Sequence, residues 1–244
     1  MMNSQEELIV HLTELRKRLI LFFIWFVLAL CAGLYLSPHI LLLLKSRPLL
    51  VRIEWNVFSF TDGLFIYMKC AFLFSILISL PVLFYQIWAF VRPGLTDEEA
   101  RVTLAYVPAS FLLFFIGISF SYFVVFPMML QFLMKMNQSI GAMETYGIDR
   151  YFSFMFNVVF PLGVAFEMPI VILFLTRLGL LTPEKLRGIR KHAYLGLAIV
   201  GSCISPPDFV SHLSVVVPLI ILFECSVVIS SLYYRRLTAL PTNS

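Results

Sequence analysis

Long apolar runs, broken by short clusters of charged and turn-forming residues, set the pattern of this chain. A bilayer core is about 30 Å thick and a helix rises about 1.5 Å per residue, so a spanning helix needs about 20 apolar residues. Six segments approach that length: 19–36, 70–90, 104–126, 153–176, 193–204 and 213–232. The fifth is the shortest. Between Lys191 and Pro206 lie 14 residues, about 21 Å of helix. Either the bilayer thins there or the following loop dips inward. The pattern predicts an all-α polytopic membrane protein with six transmembrane helices in a single membrane domain over 1–244. No internal repeat, low-complexity tract or appended soluble domain interrupts it.

The first apolar run is too long and begins too late for a secretory leader. Leu34, Tyr35 and Leu36 offer no small-residue cleavage site, so the run reads as a membrane anchor. Orientation follows from the basic residues, which accumulate on the cytoplasmic side. One set of connecting segments carries twelve Lys and Arg, among them Arg16, Arg92, Arg101, Arg177, Lys185, Arg187, Arg190 and Lys191; the other set carries six. Both termini are therefore expected in the cytoplasm, with the protein in the cell membrane.

Two outer segments are too apolar for ordinary loops. Leu41 to Leu44, Leu49, Leu50, Trp55, Phe58 and Phe60 enrich the first, and Met128 to Met136 the second. They read either as short interfacial helices capping the outer face or as segments packed on each other.

Composition narrows the function. The 244 residues are 60% hydrophobic and only 13% charged, against about 25% charged in an average soluble domain. The four cysteines, Cys31, Cys70, Cys203 and Cys225, stand far apart in apolar runs with no CxxC pair or histidine at zinc spacing, so no metal or other cofactor is expected. Phosphate-loop, HExxH and GxSxG signatures are absent, as are paired intramembrane aspartates. The chain is therefore read as a non-enzyme that does not hydrolyse ATP by itself and draws on a partner, an ion gradient or binding energy. Its net charge of +4 follows from the cytoplasmic bias and points to no nucleic acid.

Charged and polar residues near the spans carry the candidate chemistry. His11, Glu14, Leu15 and Arg18 share one helical face before the first span, and Glu14 can pair locally with Arg18. The stretch Tyr85-Gln86-Ile87-Trp88-Ala89-Phe90-Val91-Arg92-Pro93-Gly94-Leu95-Thr96-Asp97-Glu98-Glu99 ends a helix at Pro93 and Gly94 and turns acidic. Thr96 could equally cap the next helix, with Glu98 and Glu99 complementing its dipole. Glu167 lies about ten residues before Arg177, about 15 Å from the inner boundary, and Glu224 reaches a similar depth. An ionised carboxylate there costs several kcal/mol, so each is expected to be hydrogen-bonded, neutral or facing a wet groove. Glu224 could also be a structural interhelical group. In Ser205-Pro206-Pro207-Asp208-Phe209-Val210-Ser211-His212 two prolines stiffen a turn that Asp208 could cap.

Four of these motifs together resemble the TatC family, the polytopic receptor of the twin-arginine protein translocase. They are His11-Leu12-Thr13-Glu14-Leu15-Arg16-Lys17-Arg18, similar to HLxELRxR; Tyr85-Gln86-Ile87-Trp88-Ala89-Phe90 followed by Pro93, Leu95 and Glu99; Phe166-Glu167-Met168-Pro169; and Pro206-Pro207-Asp208. The resemblance implies a concave six-helix bundle whose fifth and sixth helices are shortened. It implies signal-peptide contacts at Glu14, Glu99, Arg16, Phe90, Pro93 and Leu95, with the two glutamates facing the arginine pair. It also implies a polar, partner-binding set of Glu167, Gln86, Glu224, Ser205, Pro207, Asp208 and His212. Ser205 stands where the family usually has Thr, His212 where it often has Gln, and Asp62-Gly63-Leu64 lacks the frequent Pro-x-Glu.

The expected function is that of a receptor subunit that binds twin-arginine signal peptides of folded cargo and recruits TatA-type single-span proteins, with a TatB-type subunit and further copies of itself as candidate partners within the bilayer. The competing reading is a proton-coupled secondary transporter using Glu167 and Glu224 as a relay. Inverted repeats and interrupted spans in both halves would favour it, and neither is visible.

Overall fold

In the computed structural model, residues 4–46, 56–94, 97–141 and 145–239 are described, with the backbone alone for 4–11, 45–46, 94, 97–99 and 235–239. The described residues are almost entirely helical. Five stretches are long and apolar enough to cross a membrane: Leu12–Leu44, Asp62–Val91, Ala100–Ser139, Ile148–Arg177 and Phe209–Tyr234. Each extends the predicted span at one or both ends. The chain forms two compact units, one of residues 1–47 and 59–112 and one of residues 48–58 and 113–244.

In the first unit, α1 (Ser4–Ser46) and α2 (Asp62–Val91) pack along each other. A Cβ on Gly33 would stand 2.8 Å from the Ala71 carbonyl oxygen, so the glycine permits close backbone approach. Phe26 and Phe72 meet edge to face at 5.9 Å. Pro38 lies inside α1 without ending it. Its ring removes the donor that Leu34 would otherwise meet, and the Ser37 hydroxyl reaches the Leu34 and Gly33 carbonyls, each at 2.9 Å. Leu41 to Leu44 therefore continue α1 and do not form a separate interfacial helix; Leu49, Leu50 and Trp55 lie outside the described residues. Beyond α2, a single 3-10 turn (Arg92–Gly94) precedes α3 (Asp97–Leu104).

The third span is built from α4 (Tyr106–Phe120), a π-helical turn (Ser121–Val125) and α5 (Phe126–Ser139). The wide turn precedes Pro127, where the regular hydrogen-bond ladder loses a donor, and Ser121 Oγ donates to the Gly117 carbonyl at 2.7 Å. Met128 to Met136 thus prolong this span, again correcting the interfacial-helix reading.

The second unit adds α6 (Ile148–Ala165), α7 (Met168–Arg177), α8 (Pro183–Gly188), α9 (Arg190–Ile204) and α10 (Phe209–Ala239). α10 contacts each of α5 to α9. One apolar cluster joins Val125, Met129, Val158, Leu162, Val215 and Leu219; a second joins Ile172, Leu186, Phe223 and Val227. Burial of side chains of this size stabilises each contact by about 1.5–3 kcal/mol relative to water, a term that vanishes where lipid is the alternative solvent, leaving packing and polar contacts to hold the helices. α9 has 15 residues, about 22 Å, and is short as read. α10 is not: its 31 residues correct the shortened sixth helix implied by the resemblance, because it starts just after the Pro206-Pro207 turn and stays helical past Tyr233.

Candidate functional site

Two groups of candidate residues emerge, one in each unit. In the first, Glu14 accepts from its helix neighbour Arg18, with Nε at 3.1 Å and Nη2 on the same oxygen. Both side chains are about a quarter to a third exposed, so the pair is weak and exchangeable. Gly33 facing Ala71 and Phe26 facing Phe72 define an antiparallel register. Counting 19 residues back from Gly33 and on from Ala71 leads from Glu14 to Phe90; counting 12 from Phe26 and Phe72 leads to Phe84. Glu14 is thus level with the last turns of α2.

Those same turns hold α3. The buried Trp88 indole N–H donates to the Ala100 carbonyl at 3.0 Å, Tyr85 lies against Trp88 at 5.6 Å and the Arg92 guanidinium covers its ring at 5.5 Å. Ala100 follows Glu99, so the backbone carrying Glu99 is fastened to the end of α2. Gln86 and Phe90 are half-buried on that end, Pro93 and Arg16 are exposed. The Glu99 side chain and Leu95 lie outside the described residues. The sequence motifs did not single out the Trp88–Ala100 bond; an indole nine residues before the acidic turn was the available signal.

In the second unit, Glu167 sits at the break between α6 and α7. Its backbone is caught in a tight turn, Glu167 N donating to the Val164 carbonyl at 3.0 Å, and Pro169 withholds a donor just beyond. Gly117 and Phe120 support the break: a Cβ at Gly117 would stand 2.7 Å from Phe166, and the Phe120 and Phe166 rings lie 5.7 Å apart. The Glu167 side chain is 4% exposed, and neither carboxylate oxygen has a hydrogen-bond partner among the described residues.

Glu224 has the opposite surroundings. It accepts from Arg190 Nη2 at 2.7 Å and from the Tyr194 hydroxyl at 2.5 Å, tying α9 to α10. No hydrogen bond joins it to Glu167. At the turn, Asp208 Oδ1 accepts from the Ser211 N–H at 2.7 Å and so caps the start of α10. Ser205 is buried, bonded to the Gly201 carbonyl at 2.9 Å, and His212 Nδ1 stands 3.5 Å from both Ser202 and Ser205 hydroxyls. Pro207 is exposed in the turn. Among the described residues no group of His, Cys, Asp and Glu is arranged to hold a metal.

Five helices long and apolar enough to cross a membrane, one of them holding a buried carboxyl, define a multi-pass membrane protein. The profile of the Sec-independent protein translocase protein (TatC) family matches residues 10–218, and the chain belongs to that family. It is 42% identical over 240 residues to the Sec-independent protein translocase protein TatC of Halalkalibacterium halodurans, covering 98% of this chain and 95% of that protein. It is 35% identical over 238 residues to the TatC of Escherichia coli K12, covering 96% and 92%. A solved structure described as the twin arginine translocase receptor TatC superposes with a TM-score of 0.78 at 34% identity, over 92% of this chain and all of that one. A second, in the detergent DDM, gives 0.81 over 91% and 99%. The chain is accordingly a subunit of the Sec-independent, twin-arginine translocase, in its receptor family.

Proposed function

We propose that this protein reads the arginine pair of a signal peptide with Glu14 and Glu99 at a cytoplasmic rim and takes up the apolar part of the signal along its spans. The observation that carries this reading is the convergence of Glu14 and the Glu99-bearing helix on the last turns of α2, one through the α1–α2 register and the other through Trp88 and Ala100. A guanidinium binds a carboxylate through two parallel hydrogen bonds, which an ammonium cannot do, so two fixed acids favour Arg-Arg over Lys-Lys. Exposed ion pairs contribute only about 0–1 kcal/mol each. The apolar signal segment supplies much of the rest, at about 25 cal/mol per Å² withdrawn from water. Arg16, Phe90, Pro93 and Leu95 complete this rim.

Glu167, with the short α9, is the proposed docking strip for a TatA-type single-span partner. A buried carboxyl without a partner is costly, and a polar group on an incoming helix relieves that cost. Ser205, Pro207, Asp208 and His212 belong to the same proposed partner-facing set, Gln86 is a separate candidate on the first unit, and both termini lie in the cytoplasm. Glu224, already engaged by Arg190 and Tyr194, is poorly suited to pass a proton to Glu167, which counts against the transporter reading.

The test is photocrosslinking of a twin-arginine peptide to membranes holding wild type or the Glu14→Gln/Glu99→Gln double variant at matched protein level. Crosslinking is expected to fall in the double variant; intact binding removes the assignment. Glu167→Ala is expected to reduce partner recruitment more than peptide binding, and equal loss of both indicates misfolding instead.

A further inference from the structure

The contacts between α9 and α10 show at which end α9 is short. Near the connecting turn Gly201 is pressed against Val216, and at the other end Arg190 reaches Glu224. With Gly201 on Val216 and Tyr194 on Phe223, α9 runs antiparallel to α10 and begins level with Val227, whereas the apolar stretch of α10 continues to Tyr234, seven residues and about 10 Å farther. The missing length of α9 lies on that side.

Cationic side chains occupy this recess. α8 is seated by Leu186 in the cluster with Phe223 and Val227, and Arg187 Nη2 donates to Ser231 Oγ at 3.2 Å. Cations thus stand at two levels along α10, at Ser231 and at Glu224, about 10 Å apart. Lys185, Arg187 and Lys191 are exposed and the Arg190 side chain is 39% exposed. Of the nearby carboxylates, Glu224 is engaged by Arg190, and Glu184 is exposed on α8. Hydrocarbon around the exposed Lys185, Arg187 and Lys191 would leave them unsolvated at a cost of several kcal/mol.

We propose that Lys185, Arg187 and Lys191 form a binding surface for the headgroups of anionic phospholipids, drawn inward beside the short α9. Phosphate oxygens of a net negative headgroup accept from these cations, Arg187 standing at the Ser231 level. A zwitterionic headgroup brings its own cation to the same place and gains less. The lipid, held between α8 and α9, bridges a region that neither helix covers with apolar residues. This goes beyond signal and partner binding and does not depend on either.

The test is native mass spectrometry of the full-length protein, stripped of lipid in detergent and titrated with phosphatidylglycerol or phosphatidylcholine. Wild type is expected to retain phosphatidylglycerol several-fold more strongly. The Lys185→Gln/Arg187→Gln/Lys191→Gln variant is expected to lose that preference, and Lys191→Glu alone, a single exposed change, to weaken it. The Lys135→Gln/Arg150→Gln variant, altered at two other exposed cations, is expected to keep it. Equal retention of the two lipids by wild type overturns the proposal, as does equal loss in the Lys135/Arg150 control. Thermal stabilisation by inorganic phosphate alone, as large as that by phosphatidylglycerol, overturns the lipid assignment.

Discussion

The Trp88 indole N–H is bonded to the Ala100 carbonyl at 3.0 Å inside the first unit, fastening the helix that carries Glu99 to the end of α2. A buried donor that loses its acceptor costs about 1–3 kcal/mol, while removing the donor costs about 1 kcal/mol. Trp88→Phe keeps the ring and deletes the donor. It is expected to weaken twin-arginine peptide crosslinking at position 99 about fivefold, the equivalent of about 1 kcal/mol, with crosslinking at position 14 less affected.

Arg18 competes with the peptide for Glu14 through the pair at 3.1 Å. Arg18→Gln frees the carboxylate and is expected to raise peptide affinity about twofold, since a helical pair of this kind is worth about 0.3–0.5 kcal/mol. Glu14→Gln should move affinity the other way. A titration with labelled peptide reads both, and the gain with Arg18→Gln should shrink as salt is raised.

At Gly201 an added methyl runs into Val216 Cγ2. Gly201→Ala is expected to lower stability by about 1–3 kcal/mol, and Val216→Ala in the same chain to restore part of it by vacating the space. Thermal unfolding in detergent checks both; rescue identifies the collision as the cause.

Thr176 Oγ1 donates to the Ile172 carbonyl at 2.7 Å, so the buried contact with Ser230 Oγ at 2.8 Å is donated by the serine. Thr176→Val strands the Ser230 hydroxyl and is expected to cost about 1–3 kcal/mol. Ser230→Ala should cost less, because Thr176 keeps its carbonyl. The Thr176→Val/Ser230→Ala double variant is expected to be more stable than Thr176→Val alone, a non-additivity measured by the same unfolding assay.

Glu167 is sequestered without a hydrogen-bond partner among the described residues, so Glu167→Met, similar in length and apolar, is expected to raise the unfolding midpoint while reducing recruitment of a TatA-type partner. A stabilised variant that still recruits normally separates this carboxyl from docking.

The chain's own residues determined the helical class and the positions of the spans, because each helix satisfies its backbone internally and lipid demands apolar length; both are local properties. The shortness of 193–204 and the capping role of Asp208 were legible for the same reason. What lies across helices was not. Sequence placed Glu167 and Glu224 at similar depths, and only tertiary contacts distinguish them: Glu224 meets Arg190 and Tyr194, while Glu167 meets no donor among the described residues. Nor could local pattern foresee that Ser37 carries α1 past Pro38 or that Trp88 reaches Ala100. A side chain's partner depends on the register of packed helices, which is decided by close contacts such as Gly33 on Ala71 and Gly201 on Val216, not by the periodicity of either helix alone.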